Sequence, residues 1–145
     1  MNNILFKTPS SSKEFEEYDL FRWEILRKPI GKSIESLKDN YEDSSYHLIG
    51  VIDNKIIACG RLHFNSDNEA QIRYMAIDKN FQRKGIGVQI IELLEAEAKK
   101  KQISKIVLNA RDHVLEFYKK SGYMAVKKYK GSDTGIPHTT MEKIL

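Results

Sequence analysis

The sequence predicts a mixed α/β (α+β) fold, with a central, mostly antiparallel sheet of about six to seven strands flanked by helices. Three observations lead there. Two β-rich runs, residues 46–52 and 55–64, are separated only by Asp53-Asn54, which reads as a hairpin. A third run, 70–78, follows the polar turn N-S-D-N at 65–68. The period then changes: Ile86, Ile90, Leu94 and Ala98 recur every four residues, as on the buried face of an amphipathic helix.

The other elements follow in chain order. Residues 4–6 read as a short first strand. Ser11 and Glu14 have capping-box spacing, and Phe15, Tyr18, Phe21 and Ile25 then predict a helix to about residue 27, ended by Pro29 and Gly31. Trp23 is expected in the core, Arg22 and Glu24 on the exposed side. A short second helix is expected near 34–39. In 70–78, strict alternation places Ile72, Tyr74 and Ala76 on one face and Gln71, Arg73, Met75 and Ile77 on the other, a mixed face suited to line a cleft. The helix starting near Gly85 ends on Lys99-Lys100-Lys101, cations that complement its dipole. A strand at 105–109, a helix at 114–121 with Val114, Phe117 and Tyr118 on one face, a strand at 123–129 and a last strand at 139–144 complete the chain.

Composition narrows the function. At 145 residues the chain is expected to form one domain, 1–145. No apolar run approaches the ~20 residues that cross a bilayer, and no signal peptide opens the chain, so a cytoplasmic protein without a membrane partner is expected. A net charge of +4 with dispersed lysines does not indicate nucleic acid. The one cysteine, Cys59, lies in I-I-A-C-G and reads as a small buried hydrophobe. No metal site is predicted.

The stretch Q-R-K-G-I-G, residues 82–87, stands where a strand turns into the long helix. About four amides at such a helix start lack intrahelical partners. With two glycines, Arg83 and Lys84, the turn is suited to an anion, and a diphosphate fits. It is neither a P-loop, since Lys84 precedes the glycine, nor a dinucleotide fingerprint, since position 90 is Ile90.

Three motifs in register give the sequence its resemblance to the GNAT superfamily of acyl-CoA-dependent N-acetyltransferases. Q-R-K-G-I-G is similar to that family's Gln/Arg-x-x-Gly-x-Gly/Ala loop; I-R-Y-M-A-I-D lies upstream, where the family has its fourth strand; and E-F-Y-K-K-S-G-Y resembles the Phe-Tyr-x-x-x-Gly-Phe/Tyr close of its last helix. The resemblance implies a GNAT-like sheet splayed between strands 4 and 5, and acetyl-CoA as cosubstrate. Its diphosphate would lie on residues 83–87, with Gln82, Arg83, Lys84, Gly85, Ile86 and Gly87 in the loop. The pantetheine arm would pair with the backbone of Met75 and Ile77, the Met75 amide would face the oxyanion, and Tyr118 would be the general acid.

Acetyl transfer to an amine has its own requirements. An amine of pKa ~10.4 is neutral in only about one molecule in 10³ at pH 7, so a base or a relaying water must take a proton. Several family members have a glutamate where this chain has Gln71; Glu69, His63 and His138 are the alternatives. Where the family pattern has an asparagine seven residues before the tyrosine, this chain has Arg111, with Asn109 two residues earlier. Arg111 reaches a coenzyme phosphate or the acceptor, or is a solvated cation. The acceptor is expected to be shaped by residues 20–45 and the loop 130–138; a small molecule, a peptide N-terminus and a protein lysine all remain open. A homodimer is compatible with the sequence. The expected activity is acetyl transfer to a primary amine by direct attack in a ternary complex; the alternative is a non-catalytic acyl-CoA-binding sensor or interaction module.

Overall fold

The computed structural model describes residues 3–145. Seven strands form one sheet: β1 (Leu5–Lys7), β2 (Tyr46–Ile52), β3 (Lys55–Phe64), β4 (Glu69–Ile77), β5 (Lys105–Arg111), β6 (Met124–Tyr129) and β7 (His138–Ile144). Their order is β1-β2-β3-β4-β5-β7-β6, and every neighbouring pair is antiparallel except β4 with β5. Three helices flank the sheet, α1 (Ser12–Leu26), α2 (Ile86–Lys100) and α3 (Leu115–Lys120). Among the described residues, no helix is long and apolar enough to cross a membrane.

The α2 stripe does what its period predicts. Ile86, Ile90, Ile91, Leu94 and Ala98 are buried against Leu48, Leu62, Ile72, Ile106 and Leu108. Each fully buried Ile or Leu contributes roughly 1.5–3 kcal/mol. Gly60 of β3 permits this approach, because a Cβ there would lie 2.8 Å from Ile90 Cγ2.

On the opposite face, α1 packs Tyr18 on Ile49, Ile56, Cys59 and Ala76. Its start is capped by Ser11, whose Oγ accepts from the Glu14 amide at 3.1 Å. The Glu14 carboxylate accepts from the Ser10 amide at 2.8 Å, one residue before the expected reciprocal partner. Cys59 is fully buried, and burial pushes its thiol up to about 12.

Two expectations about α1 are corrected. Arg22 is fully buried rather than exposed, and donates to Glu42 at 3.1 and 2.5 Å and to Asp19 at 2.7 Å. Trp23 is half-buried rather than in the core; its indole N–H donates to the Lys32 carbonyl at 2.9 Å. Arg61 of β3, also fully buried, donates to Glu42 at 3.0 Å and to Asp39 at 2.9 and 2.8 Å. Glu42 thus bridges two buried guanidiniums and, with Asp39, ties this polar stretch of the chain to α1 and β3. The expected helix near 34–39 is a single 3-10 turn, Ile34–Leu37.

The faces of β4 are also corrected. Cys59 pairs with Ala76 but Arg61 with Arg73, so β4 carries one residue more than β3 across this interval. Tyr74 sits in that bulge at φ +56°. A bulge shifts the alternation: Ile72, Met75 and Ile77 all pack against the α2-side core, whereas Tyr74 and Ala76 face α1. Gln71, Arg73, Met75 and Ile77 therefore do not share one face.

Burial raises the Glu42 carboxyl, but its hydrogen bonds and charge pairing with Arg22 outweigh that and hold it at about 2, below the ordinary 4.5. Because the folded value is the depressed one, the stability Glu42 contributes is present above pH 4.5 and is lost as pH falls towards 2. Glu42→Ala, which strands two buried cations, should cost about 3–5 kcal/mol in urea unfolding at pH 7. The difference between variant and parent should shrink as pH is lowered through that window; a constant difference would contradict the ionic role.

Candidate active site

Two irregularities in the backbone define the site. The first is the divergence of β4 from β5. Their pairing covers only Glu69, Gln71 and Ala70 with Lys105, Val107 and Ile106; beyond Gln71 and Val107 the strands are unpaired with each other. The second is the Tyr74 bulge, which leaves Tyr74 and Met75 outside the registers with both β3 and β5. The expected splay between strands 4 and 5 is therefore present, with unpartnered β4 backbone along one side.

The start of α2 opens at this gap. Gly85 is the N-cap, at φ +78°, and no side chain caps the helix. Among the described residues, the amides of Ile86, Gly87 and Val88 have no acceptor. Gln82, Arg83, Lys84 and Gly85 are exposed, and nothing approaches within 4 Å of a Cβ built on Gly85. This concentration of orphan donors, dipole and cations, uncovered by the chain, fits a diphosphate. The Gln82 side-chain amide donates to the Ile77 carbonyl at 3.3 Å, tying the loop to the end of β4.

The two glycines act for different reasons. Gly85 supplies the left-handed turn. Gly87 makes room for a side chain, since a Cβ there would lie 2.8 Å from Phe117 Cζ. Phe117 thereby locks α3 against the start of α2 and presents the next residue, Tyr118, to the gap. Tyr118 Oη lies 4.0 Å from Met75 Sδ. Its ring meets Phe117 edge-on at 5.0 Å and Tyr123 at 6.1 Å. Tyr123 in turn donates to Glu95 of α2 at 3.0 Å. Burial pushes the Tyr118 hydroxyl up to about 12, with the Arg111 charge opposing. Tyr118 is therefore protonated at neutral pH and able to donate. Met75, Gly87, Phe117 and Tyr118 are thus brought together from three parts of the chain, β4, α2 and α3.

The three candidate bases are separated. Glu69 begins β4, six residues before Met75, which is roughly 20 Å of extended strand. Its carboxylate accepts from Asn65 at 2.9 Å and pairs with Lys105 at 3.4 Å. His63 is buried, stacked on Tyr41 at 4.1 Å, and both ring nitrogens are engaged, by Arg61 and Asn65. Burial and the Arg61 charge push it down to about 4. His138 begins β7 opposite Arg111, at the splayed end of β5. Its Nδ1 lies 2.6 Å from the Ile136 carbonyl, which only accepts; Nδ1 therefore carries the proton and Nε2 is left as an acceptor.

The arginine surround of Tyr74 is not visible in the sequence pattern. Guanidiniums of Arg73, Arg61 and Arg22 lie 4.5, 4.9 and 5.5 Å from its ring centre. Two cavities, of about 350 and 180 Å³, lie beneath β1–α1 and beside Lys38 and His47, while Met75, Phe117 and Tyr118 pack against the α2-side core.

Gly87→Ala should cost about 1–3 kcal/mol from the clash with Phe117, and Gly85→Ala about 1–2 kcal/mol from backbone strain. In a Phe117→Leu background, urea unfolding should show the Gly87 penalty shrinking while the Gly85 penalty persists. Equal behaviour of the two would refute the separate roles.

Comparison with known proteins agrees with this geometry. Residues 14–145 match the acetyltransferase (GNAT) domain family. The chain is 30% identical over 122 residues to the uncharacterized N-acetyltransferase YjcF of Bacillus subtilis, covering 84% of this chain and 86% of that one. In fold it is similar to a putative N-acetyltransferase from Lactobacillus plantarum, with TM-score 0.82, 20% identity and coverage of 99% and 98% of the two chains. It is also similar to a GNAT family acetyltransferase from Elizabethkingia anophelis with acetyl-CoA bound, with TM-score 0.73, 22% identity and coverage of 99% and 98%. The family match over residues 14–145 and the 30% identity to a relative covered over most of its length place the chain plainly: it belongs to the GNAT acetyltransferase family.

Proposed function

We propose that the protein is an N-acetyltransferase that moves an acetyl group from acetyl-CoA to a primary amine, by direct attack while both are bound. The observation that carries this reading is the uncovered α2 start, with unpartnered amides at Ile86, Gly87 and Val88, opening onto the gap between β4 and β5 beside Tyr118. The acetyl-CoA in the Elizabethkingia relative supports the choice of donor.

Each residue has a task in this reading. Gln82, Arg83, Lys84, Gly85, Ile86 and Gly87 hold the diphosphate through backbone donors and two cations. The β4 backbone at Met75 and Ile77 takes up the pantetheine arm as an added strand, since that edge faces no partner in β5. When bound, acetyl-CoA supplies a thioester carbonyl open to attack. The Met75 amide, in the bulge and outside both registers, donates to the developing oxyanion, a contribution worth roughly 3 kcal/mol when well aimed. Tyr118, whose hydroxyl is protonated at neutral pH, donates to the departing sulfur. His138 Nε2 accepts the amine proton, directly or through water; its bare nitrogen and its place at the splayed end favour it over Glu69 and His63. The bonds balance: nitrogen gains the acetyl group and loses a proton, and sulfur gains one.

Gly85→Glu, which puts a negative side chain at the helix start, should weaken coenzyme A binding by more than tenfold in calorimetry. Normal affinity would place the diphosphate elsewhere. Tyr118→Phe and His138→Gln should each slow acetyl transfer by about 10²-fold or more, with acetyl-CoA affinity within twofold of the parent. Unchanged turnover in either removes that residue from the mechanism, and coenzyme binding without transfer to any amine would favour the sensor reading.

A further inference from the structure

We infer that Arg111 and Asn109, beside His138, form a carboxylate-binding site, so that the acceptor is a compact amino acid whose carboxylate lies close to its amine. This deepens the proposed acetyl transfer and rests on it for the identity of the second substrate.

Placement comes first. Along β5, Ile106, Leu108 and Ala110 are buried in the core beneath α2, so Asn109 and Arg111 project from the other face. There they stand in register with Thr140 and His138 of β7. Helix α1 lies over β3 and β4 on this side, and Asn109, Arg111, His138 and Thr140 are only half-buried. The face adjoins the gap, and the Arg111 charge is felt by Tyr118.

Hydrogen-bond accounting comes next. Among the described residues, Arg111 has neither an ion pair nor a side-chain hydrogen bond, although carboxylates are near in the chain. Asp112 is committed to Lys128 at 2.5 Å and to Thr139 at 2.7 Å. Asp133, in the loop that leads to β7, is committed to Arg27 at 2.9 Å. The Asn109 carbonyl accepts from the Thr140 hydroxyl at 2.6 Å, which orients its amide and leaves the NH₂ without a protein acceptor. A guanidinium fork and an amide NH₂, two residues apart on one strand face, are donors that match a carboxylate. Neither suits a protonated amine.

Position also separates this site from the coenzyme phosphates. The α2 start packs on the opposite side of the sheet from the face that carries Arg111. Arg111 and His138 are directly opposed in an antiparallel pair, about 5 Å apart at Cα. With both side chains on one face of neighbouring strands, a ligand that holds its anionic and amino groups within a few bonds of each other can meet both. A free amino acid does so. A peptide N-terminus and a protein lysine have an amide where the carboxylate would be.

The test compares free α-amino acids with their carboxamides as acceptors, with acetyl-CoA as donor and thiol release as the readout. The parent protein should favour the carboxylate members by about tenfold or more in kcat/KM. Arg111→Gln should collapse that ratio, and Arg111→Lys should restore part of it. A ratio unchanged by Arg111→Gln, or a loss confined to acetyl-CoA affinity, would overturn the inference, the latter by making Arg111 a coenzyme contact. If no amine is acetylated, the proposed function fails by itself. The carboxylate site is then judged by calorimetry of free amino acids on the coenzyme A-loaded protein: binding abolished by Arg111→Gln upholds it, and binding that is absent or indifferent to Arg111 overturns it.

Discussion

Beyond Gln71 and Val107, β4 and β5 stop pairing, and the remainder of the site is organised by that parting. Parallel strands that continued in register would satisfy their backbone groups and close the sheet. Here the β4 edge from residue 72 to 77 faces a gap instead, and helices α2 and α3 converge on it from the same side. The gap is kept apart by side chains rather than by an empty cavity: Met75, Phe117 and Tyr118 pack into it, and the missing Cβ of Gly87 lets Phe117 seat against α2. Unbranched Met75 can be displaced at low cost, because a thioether side chain repacks easily.

The bulge that points Met75 into this gap requires a non-glycine residue in the left-handed region, at a cost of about 1–2 kcal/mol. Three guanidiniums around the Tyr74 ring offset it. Contacts of this kind are worth roughly 0.5–1 kcal/mol each when exposed and about 2 when desolvated, and two of these arginines are fully buried. The balance therefore favours the bulge. The same arginines are neutralised by Glu42, Asp39 and Asp19, so the geometry of the β4 backbone depends on an ion network on the opposite side of the sheet. The cost of that network is its intolerance of losing one partner.

The two faces of the sheet divide the chemistry. The α2 face offers orphan amides and cations, suited to a large anion held at a helix start. The other face, along β5 and β7, offers a guanidinium that has no counter-ion among the described residues, an amide NH₂ and, in the neutral ring, an imidazole nitrogen able to accept. Only at the gap do the two communicate, and Tyr118 stands there. A donor and an acceptor approaching from opposite faces would meet beside a buried hydroxyl that is protonated at neutral pH.

Much of this was legible in the residues alone. The order of strands and helices, the hairpin at Asp53-Asn54, the α2 stripe, the Ser11 cap and the position of Gly85 follow from local rules of period, capping and turn chemistry, which act over a few residues and leave their mark in the sequence. Tyr118 and the Q-R-K-G-I-G loop were legible as motifs. The burial of Arg22, the clamp made by Glu42 and the face reversal at Tyr74 were not. A buried charge is placed by partners about twenty residues away and a bulge by the mismatch of two strands. Such contacts exist only after the chain has closed on itself, so the sequence by itself determined the elements and the glycine turn that opens α2, and the tertiary structure alone decided which side chains face the gap.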